Sequence, residues 1–322
     1  MNLKNIFLGI LIGTIALAGC DEIVNPIFPK QNTSSLPSGP PTYIDSSATT
    51  GQGSYTNYKV LLEDCTAHKC SNCPAAGTEA EVLLASNLAP QIVFMEDNMG
   101  TLAGTAPVGG YPDTAFRVNY VCTADSVWNN LFGIATIGLP NGMINRINDP
   151  TTKAIYYTNW QTVVQAQINA NHNAIATINI HDSCWVPERI LGCEFQVHFN
   201  QTLSGNYLLV TGIVEDSIID WQLDNTQVSG ADIYYNHHFV LRGTFDVTGT
   251  GITISPTTAG STYTSYQTYD FTKGEHGKAG GYDVFNKPWN MAHCYIVAFV
   301  YNGTTASPTQ YQVVQAEMIK ME

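Results

Sequence analysis

Charge is scarce in this chain. Only 12% of its 322 residues are Asp, Glu, Lys or Arg, and 13 basic side chains stand against 26 acidic ones, for a formal net charge of −13. A phosphate backbone is gripped by clustered Lys and Arg, so nucleic acid is excluded as a partner. The chain also has no apolar run of about 20 residues, the length a helix needs to cross a bilayer. A second pair of Cys or His at zinc-ligand spacing is missing as well, so no metal and no other cofactor is expected. Only Cys65 and His68 stand near enough in sequence to complete a metal set around Cys70 and Cys73.

Ser, Thr, Asn, Gln, Gly and Tyr are plentiful, a balance met more often in exported proteins than in cytosolic enzymes. The start, MNLKNIFLGILIGTIALAGC, agrees with export. It has one early basic residue, Lys4, an apolar stretch from Ile6 to Ala16 and then small residues, which is the layout of a secretory signal. Its ending, Leu17-Ala18-Gly19-Cys20, resembles a bacterial lipobox. The expectation is a signal over residues 1–19, lipidation at Cys20 and membrane anchoring through that lipid. Residues 20–54, rich in Pro, Ser, Thr and Gly without an apolar period, read as a disordered tether.

Beyond the tether the pattern divides in two. Over residues 55–173 apolar strand-like runs alternate with helical spacing. Tyr58–Asp64 and Gln91–Asp97 read as strands, a helix follows Cys73, Ile137–Ile147 turns into a third strand, and Ile155, Trp160, Val163, Val164 and Ile168 mark one helix face. That alternation predicts an α/β unit. Over residues 174–322 strict alternation takes over, as in CEFQVHFN, where Phe195, Val197 and Phe199 share one face. About seven strands without a helix predict an all-β sandwich domain.

The stretch DCTAHKCSNCP carries the chemistry. A thiol at the start of a helix feels the positive end of the helix dipole, which favours thiolate. Cys70 is therefore the expected nucleophile and the more accessible thiol, with Cys73 one turn on to resolve a mixed disulfide. Asp64 through Cys73 resembles the thioredoxin signature, with the acid at the same spacing before the first cysteine. Gly138-Leu139-Pro140 resembles the thioredoxin turn whose proline is cis beside the cysteine pair. The resemblance implies that Asp64 handles the proton of Cys73 and that Pro140 and the Leu139 backbone align an incoming chain. Lys69 and Ser71-Asn72 depart from the usual Trp and Gly-Pro.

Four segments in order, VLLEDCTAHKCSNCPAA, GLPNGMINR, YYNHHFVLR and the ending CYIVAFVYNGTTASPTQYQVVQAEMI, resemble the Omp-28-related outer-membrane lipoproteins. The likeness runs from about Tyr55 to the C-terminus. It implies a thioredoxin-like domain followed by a β-sandwich on an outer-membrane lipoprotein, facing the periplasm or the cell surface, with adhesion or binding as its role; the many tyrosines of the second domain suggest proteins or glycans as partners. The alternative is a thiol–disulfide oxidoreductase working through Cys70 and Cys73 on exported proteins. Cys184 and Cys193 flank WVPERILG between two strands and are expected to staple a hairpin in an oxidising compartment. His237-His238 read as structural, since successive strand residues face opposite sides.

Overall fold

Among the described residues the apolar runs VLLED, IVFMED, YLLVTGIVE and CYIVAFVYN become strands of one shared sheet. The computed structural model describes residues 58–147, 152–170, 173–185, 189–272 and 289–321. The expected signal, the Cys20 lipidation site and the tether lie outside the described residues. In chain order the elements are β1 (Val60–Thr66), α1 (Cys73–Leu84), β2 (Ile92–Asn98), α2 (Thr123–Phe132), α3 (Ile134–Ile137), β3 (Asn141–Ile144) and α4 (Trp160–Ala170). Strands alone follow: β4 (Ala176–Trp185), β5 (Ile190–Phe199), β6 (Tyr207–Glu215), β7 (Ile218–Leu223), β8 (Ala231–His237), β9 (Val240–Thr244), β10 (Ile252–Ile254), β11 (Thr262–Asp270), β12 (Cys294–Asn302) and β13 (Val313–Lys320). The architecture is mixed α/β, rich in sheet and poor in helix.

The main sheet runs β13-β12-β6-β9-β2-β1-β3, with β10 paired to β6. β1 and β2 are parallel, in register from Val60 opposite Ile92 to Thr66 opposite Asn98, and α1 makes the crossover between them. β3 lies antiparallel on the other side of β1. Residue 173, where the composition changes, falls between α4 and β4, yet β6, β9, β12 and β13 from beyond it extend the sheet begun by β1–β3. The join is one parallel bridge, Glu96 opposite Val240, with Glu96 N donating to Phe239 O at 2.9 Å. All described residues fall in one compact unit.

Alternation along each strand sends side chains to separate cores. Val60, Leu62 and Phe94 pack with Ala80 and Leu83 of α1 and Trp160, Val164 and Ile168 of α4. Leu61, Val93 and Met95 pack with Trp128 of α2, Val210, Leu241 and Phe299. A three-stranded sheet, β11-β5-β4, stacks Ile178, Phe195, Val197 and Phe199 on Leu209, Ile213, Ile296 and Ala298 of the main sheet. Phe195, Val197 and Phe199 are all fully buried, as their alternation demands.

Three local readings differ. Ile155 is not helical: it bridges Gly142, accepting from Gly142 N at 2.9 Å and donating to Gly142 O at 2.7 Å, so α4 starts only at Trp160. Gly142 has no room for a side chain, since a Cβ there would stand 2.6 Å from the Trp160 ring and 2.7 Å from Glu63 O. Helix α2 went unread in the sequence. Asp125 caps it by accepting from Cys122 N at 2.8 Å, and Gly133 in the left-handed region ends it. The expected Cys184–Cys193 staple is open, both residues being free thiols. Register explains this: Cys184 lies opposite Leu191 and Cys193 opposite Asp182, a diagonal relation of about 7–8 Å between Cα atoms, longer than a disulfide normally spans.

A candidate functional site around the Cys70–Cys73 disulfide

The C-terminal ends of the parallel strands β1 and β2 are where this sheet gathers chemistry. Each strand ends its apolar run in two acids, Glu63-Asp64 and Glu96-Asp97, and the register sets Asp64 beside Glu96. β1 then leads through Ala67 and His68 into the cysteine pair. Cys70 and Cys73 form a disulfide with Cα atoms 5.4 Å apart at the start of α1, where Pro74 occupies the first helical turn. Leu139, before a cis peptide bond to Pro140, packs with Cys70, Cys73, Ala67 and Ala103. Two residues on, Gly142 of β3 pairs with Asp64. Strand order thus brings Asp64, the two cysteines and the Leu139–Pro140 turn to one end of the sheet.

Accessibility departs from expectation. Cys70 was to be the open thiol and Cys73 the shielded one, but both are buried, at 4% and 2% exposure. The cover is the β7–β8 hairpin, a two-stranded sheet of its own. Leu223 N donates to His68 O at 2.8 Å and Asn225 N to Ser71 O at 3.1 Å. The buried Gln222 amide donates to Cys70 O at 2.9 Å and to Ala67 O at 3.3 Å. Asn225 Nδ2 also donates to Asn72 Oδ1. Every residue from Ala67 to Asn72 except Lys69 is therefore tied directly to the hairpin. Gly77 lets α1 approach the same hairpin, since a Cβ at that position would stand 2.5 Å from the Tyr235 hydroxyl.

Electrostatics at the site follow from dryness. Burial pushes the Asp64 carboxyl up to about 8, and its Oδ1 has no hydrogen-bond partner among the described residues. Burial and then Asp64 likewise push Glu96 well above the carboxylate range. His68 goes the other way: burial lowers it to about 4, so it is neutral at pH 7. Its Nε2 lies 3.0 Å from Gly104 O and therefore carries the proton, while the ring sits edge-on to Phe116 and Tyr120. Among the described residues no group of three His, Cys, Asp or Glu side chains is arranged to hold an ion.

A second buried polar group lies on the opposite face of β1, and sequence reasoning missed it. Arg146 Nε donates to both Glu63 oxygens at 3.0 Å and its Nη2 to Oε1 at 2.5 Å. The guanidinium is walled by Trp128 at 4.4 Å, Phe299 at 4.8 Å and Phe132 at 5.3 Å to the ring centroids. Asp97 stands in the same region, held well above the usual range by burial and then by Glu63. This pair bolts β1 to the loop after β3 and touches no open surface.

His237 is buried against Tyr120 and Tyr235, with ring centroids 5.1 and 4.9 Å away. His238, just past β8, bonds Asp216 through Nδ1 at 2.9 Å. The two turn to different partners.

Comparison with known proteins follows the same outline. The profile of the family described as outer membrane protein Omp28 matches residues 126–321, well over half of the chain. No curated protein matches. Among solved structures, HBP35 of Porphyromonas gingivalis is similar at a TM-score of 0.59 and 14% identity, over 82% of this chain and 76% of that one. At that identity the likeness is one of fold.

Proposed function

Since the chain belongs to the Omp28 outer membrane protein family, we propose that it is an outer-membrane lipoprotein, anchored through Cys20, that binds proteins or glycans. Its first half is read as a thioredoxin-like scaffold and its later strands as a β-sandwich grown onto the same sheet. The cysteine pair serves this scaffold as a closed disulfide. The observation that carries the reading is the burial of both sulfurs beneath the β7–β8 hairpin. Thiol–disulfide exchange requires an attacking thiolate to reach one sulfur, and here Gln222, Leu223 and Asn225 occupy the backbone groups around Cys70 that a substrate chain would approach.

A second reading, thiol–disulfide exchange on exported proteins, draws on Asp64, whose carboxyl is protonated at neutral pH and able to release that proton, and on the cis Leu139–Pro140 bond beside the pair. It requires the hairpin to leave. The test is a Cys73→Ser variant expressed in the native host, with mixed disulfides sought by mass spectrometry. The binding reading expects no partner trapped through Cys70, and covalent adducts with exported proteins would overturn it. Cys20→Ser should at the same time abolish labelling by a palmitate analogue, and persistent label would remove the anchor.

A further inference from the structure

Strand β11 ends the three-stranded sheet, with β5 on one side and no strand among the described residues on the other. Its nine residues, TYTSYQTYD, run in unbroken register with β5, from Thr262 opposite His198 to Asp270 opposite Ile190. Phe199 N donates to Ser261 O at 2.9 Å and Phe271 N to Arg189 O at 2.9 Å, which fixes the phase of the ladder. Odd-numbered residues therefore turn their main-chain groups to β5, and Thr262, Thr264, Tyr266 and Thr268 turn theirs to the open edge. Inward side chains seat the strand: Tyr263 packs on the sandwich core, Gln267 Oε1 accepts from Thr211 Oγ1 at 2.9 Å and Tyr269 is buried. The side chains of Thr262, Thr264, Tyr266 and Thr268 are exposed, Tyr266 at 51%.

Such an edge is a template for another strand, and proteins guard it with charge, proline, a bulge or a covering segment. Other edges of this fold are guarded: β3 is bridged by Ile155, and β4 lies against β13. β11 has no Lys, Arg, Pro or Gly, and its one charge, Asp270, stands at its end, with Thr272 N and Oγ1 donating to Oδ1 at 3.0 and 2.6 Å. Its sequence also reads nearly alike from both ends. About Tyr266, Ser265 mirrors Gln267, Thr264 mirrors Thr268 and Tyr263 mirrors Tyr269. We propose that β11 is a self-association edge, on which a second copy of this chain lays its own β11 antiparallel across a two-fold axis at Tyr266. That register sets the outward main-chain groups of Tyr266 against those of its own copy, and those of Thr264 against Thr268, so donors meet acceptors. It also makes Thr–Thr and Tyr–Tyr cross-strand pairs, which stabilise antiparallel sheets. Charge permits this contact where it opposes others. The net charge of −13 repels copies over most of their surface, but no charged residue lies between Thr262 and Tyr269, and the two Asp270 side chains end roughly 27 Å apart. Glu194, 3.4 Å from the Tyr266 hydroxyl, stands on β5, one strand back from the axis.

This inference goes beyond the binding reading and rests on neither the disulfide nor its cover. Sedimentation equilibrium of the full-length protein in density-matched detergent should show a reversible monomer–dimer equilibrium. Tyr266→Lys sets like charges side by side on the two-fold axis at an exposed position, and it should raise the dimer dissociation constant about tenfold or more. Register is read by cross-linking in membranes of expressing cells, where oxidised glutathione is reduced as two opposed thiols become one disulfide. The parent chain, with its own free thiols, is the blank. Tyr266→Cys should cross-link to its own copy, since directly opposed Cα atoms in a hydrogen-bonded pair lie about 5.5 Å apart. Thr264→Cys and Thr268→Cys should each fail alone, like residues being about 14 Å apart along the paired strands, and should cross-link to each other when co-expressed. A protein that stays monomeric at all loading concentrations, a dimer that Tyr266→Lys leaves unchanged, or cross-linking of Thr264→Cys to its own copy would overturn the proposal. So would a Tyr266→Cys disulfide to a different protein, which would make another extended chain the occupant of this edge.

Discussion

Replacing Gln222 by Ala should loosen the cover over the disulfide by an amount the structure bounds. Gln222 Nε2, with two N–H groups to share, lies 2.9 Å from Cys70 O, 3.0 Å from Leu223 O and 3.3 Å from Ala67 O. Two of those carbonyls keep another partner: Cys70 O accepts from Cys73 N at 3.1 Å and Ala67 O from Cys70 N at 2.9 Å. The loss is therefore below the cost of an orphaned buried group and amounts to about 1.5 kcal/mol. If reduction of the disulfide proceeds through local opening of the hairpin, the opening constant and the reduction rate should both rise about tenfold. The assay is reduction of the native protein by dithiothreitol, quenched by alkylation, with the peptide carrying Cys70 and Cys73 followed by mass spectrometry. Ile178→Val, in the stacked three-stranded sheet, serves as the control, since it lowers global stability by about 1 kcal/mol without touching the hairpin. An unchanged rate in Gln222→Ala, or an equal rise in both variants, would refute hairpin gating.

Other expectations follow from buried groups. Arg146→Ala strands Glu63 without a partner in a dry core and should cost about 3–5 kcal/mol, and Arg146→Lys should fail to restore it because a single ammonium cannot reproduce the two-oxygen fork. Urea denaturation measures both, and full rescue by Lys would contradict the geometry. Asp64 is held at about 8 in the folded chain and sits near 4 when unfolded, so its stability contribution is complete at pH 4 and is lost as pH rises through 8. Asp64→Asn should accordingly melt higher than the parent at pH 8 and converge with it near pH 4, whereas a constant offset would show that Asp64 does not titrate as described. Gly77→Ala gains about 1 kcal/mol of helix propensity but meets the Tyr235 hydroxyl, so it should stabilise only alongside Tyr235→Phe. Equal effects in both backgrounds would deny that contact.

Much of the frame was legible because its signals are local. VLLED, the helix after Cys73, IVFMED and the alternation of Phe195, Val197 and Phe199 each declare their own element. The shift in pattern near residue 173 was just as visible, yet it marks a change of local structure inside a shared sheet. Pairing of β2 with β9 links Glu96 to Val240 across a long sequence separation, and no periodicity reports such a contact. Helix α2 had a usable signal that sequence reasoning missed, since TADSVWNNLF spaces Ala124, Val127, Trp128, Leu131 and Phe132 along one helix face and Asp125 caps its start. The cover over the disulfide was the main omission. IIDWQL and ADIYYNH, separated by the turn residues Asp224, Asn225, Ser229 and Gly230, fit a hairpin, but that it folds onto Cys70 is a tertiary fact. The paired acids at the ends of VLLED and IVFMED were a usable signal: two parallel strands ending alike place four carboxyl groups at one edge of the sheet, where some must be buried, protonated or paired.

The central claim is that Cys70 and Cys73 form a sealed disulfide in a binding scaffold, and the most direct test is a redox titration of the purified full-length protein against glutathione. Samples equilibrated across glutathione redox ratios are trapped by alkylation, and Cys70 and Cys73 are read by mass spectrometry. Both should stay oxidised in the native protein even in excess reduced glutathione, and become reducible only when denaturant is added. Ready reduction of the folded protein by glutathione, with Cys70 alkylated first, would contradict it and would place the pair among working thiol–disulfide centres.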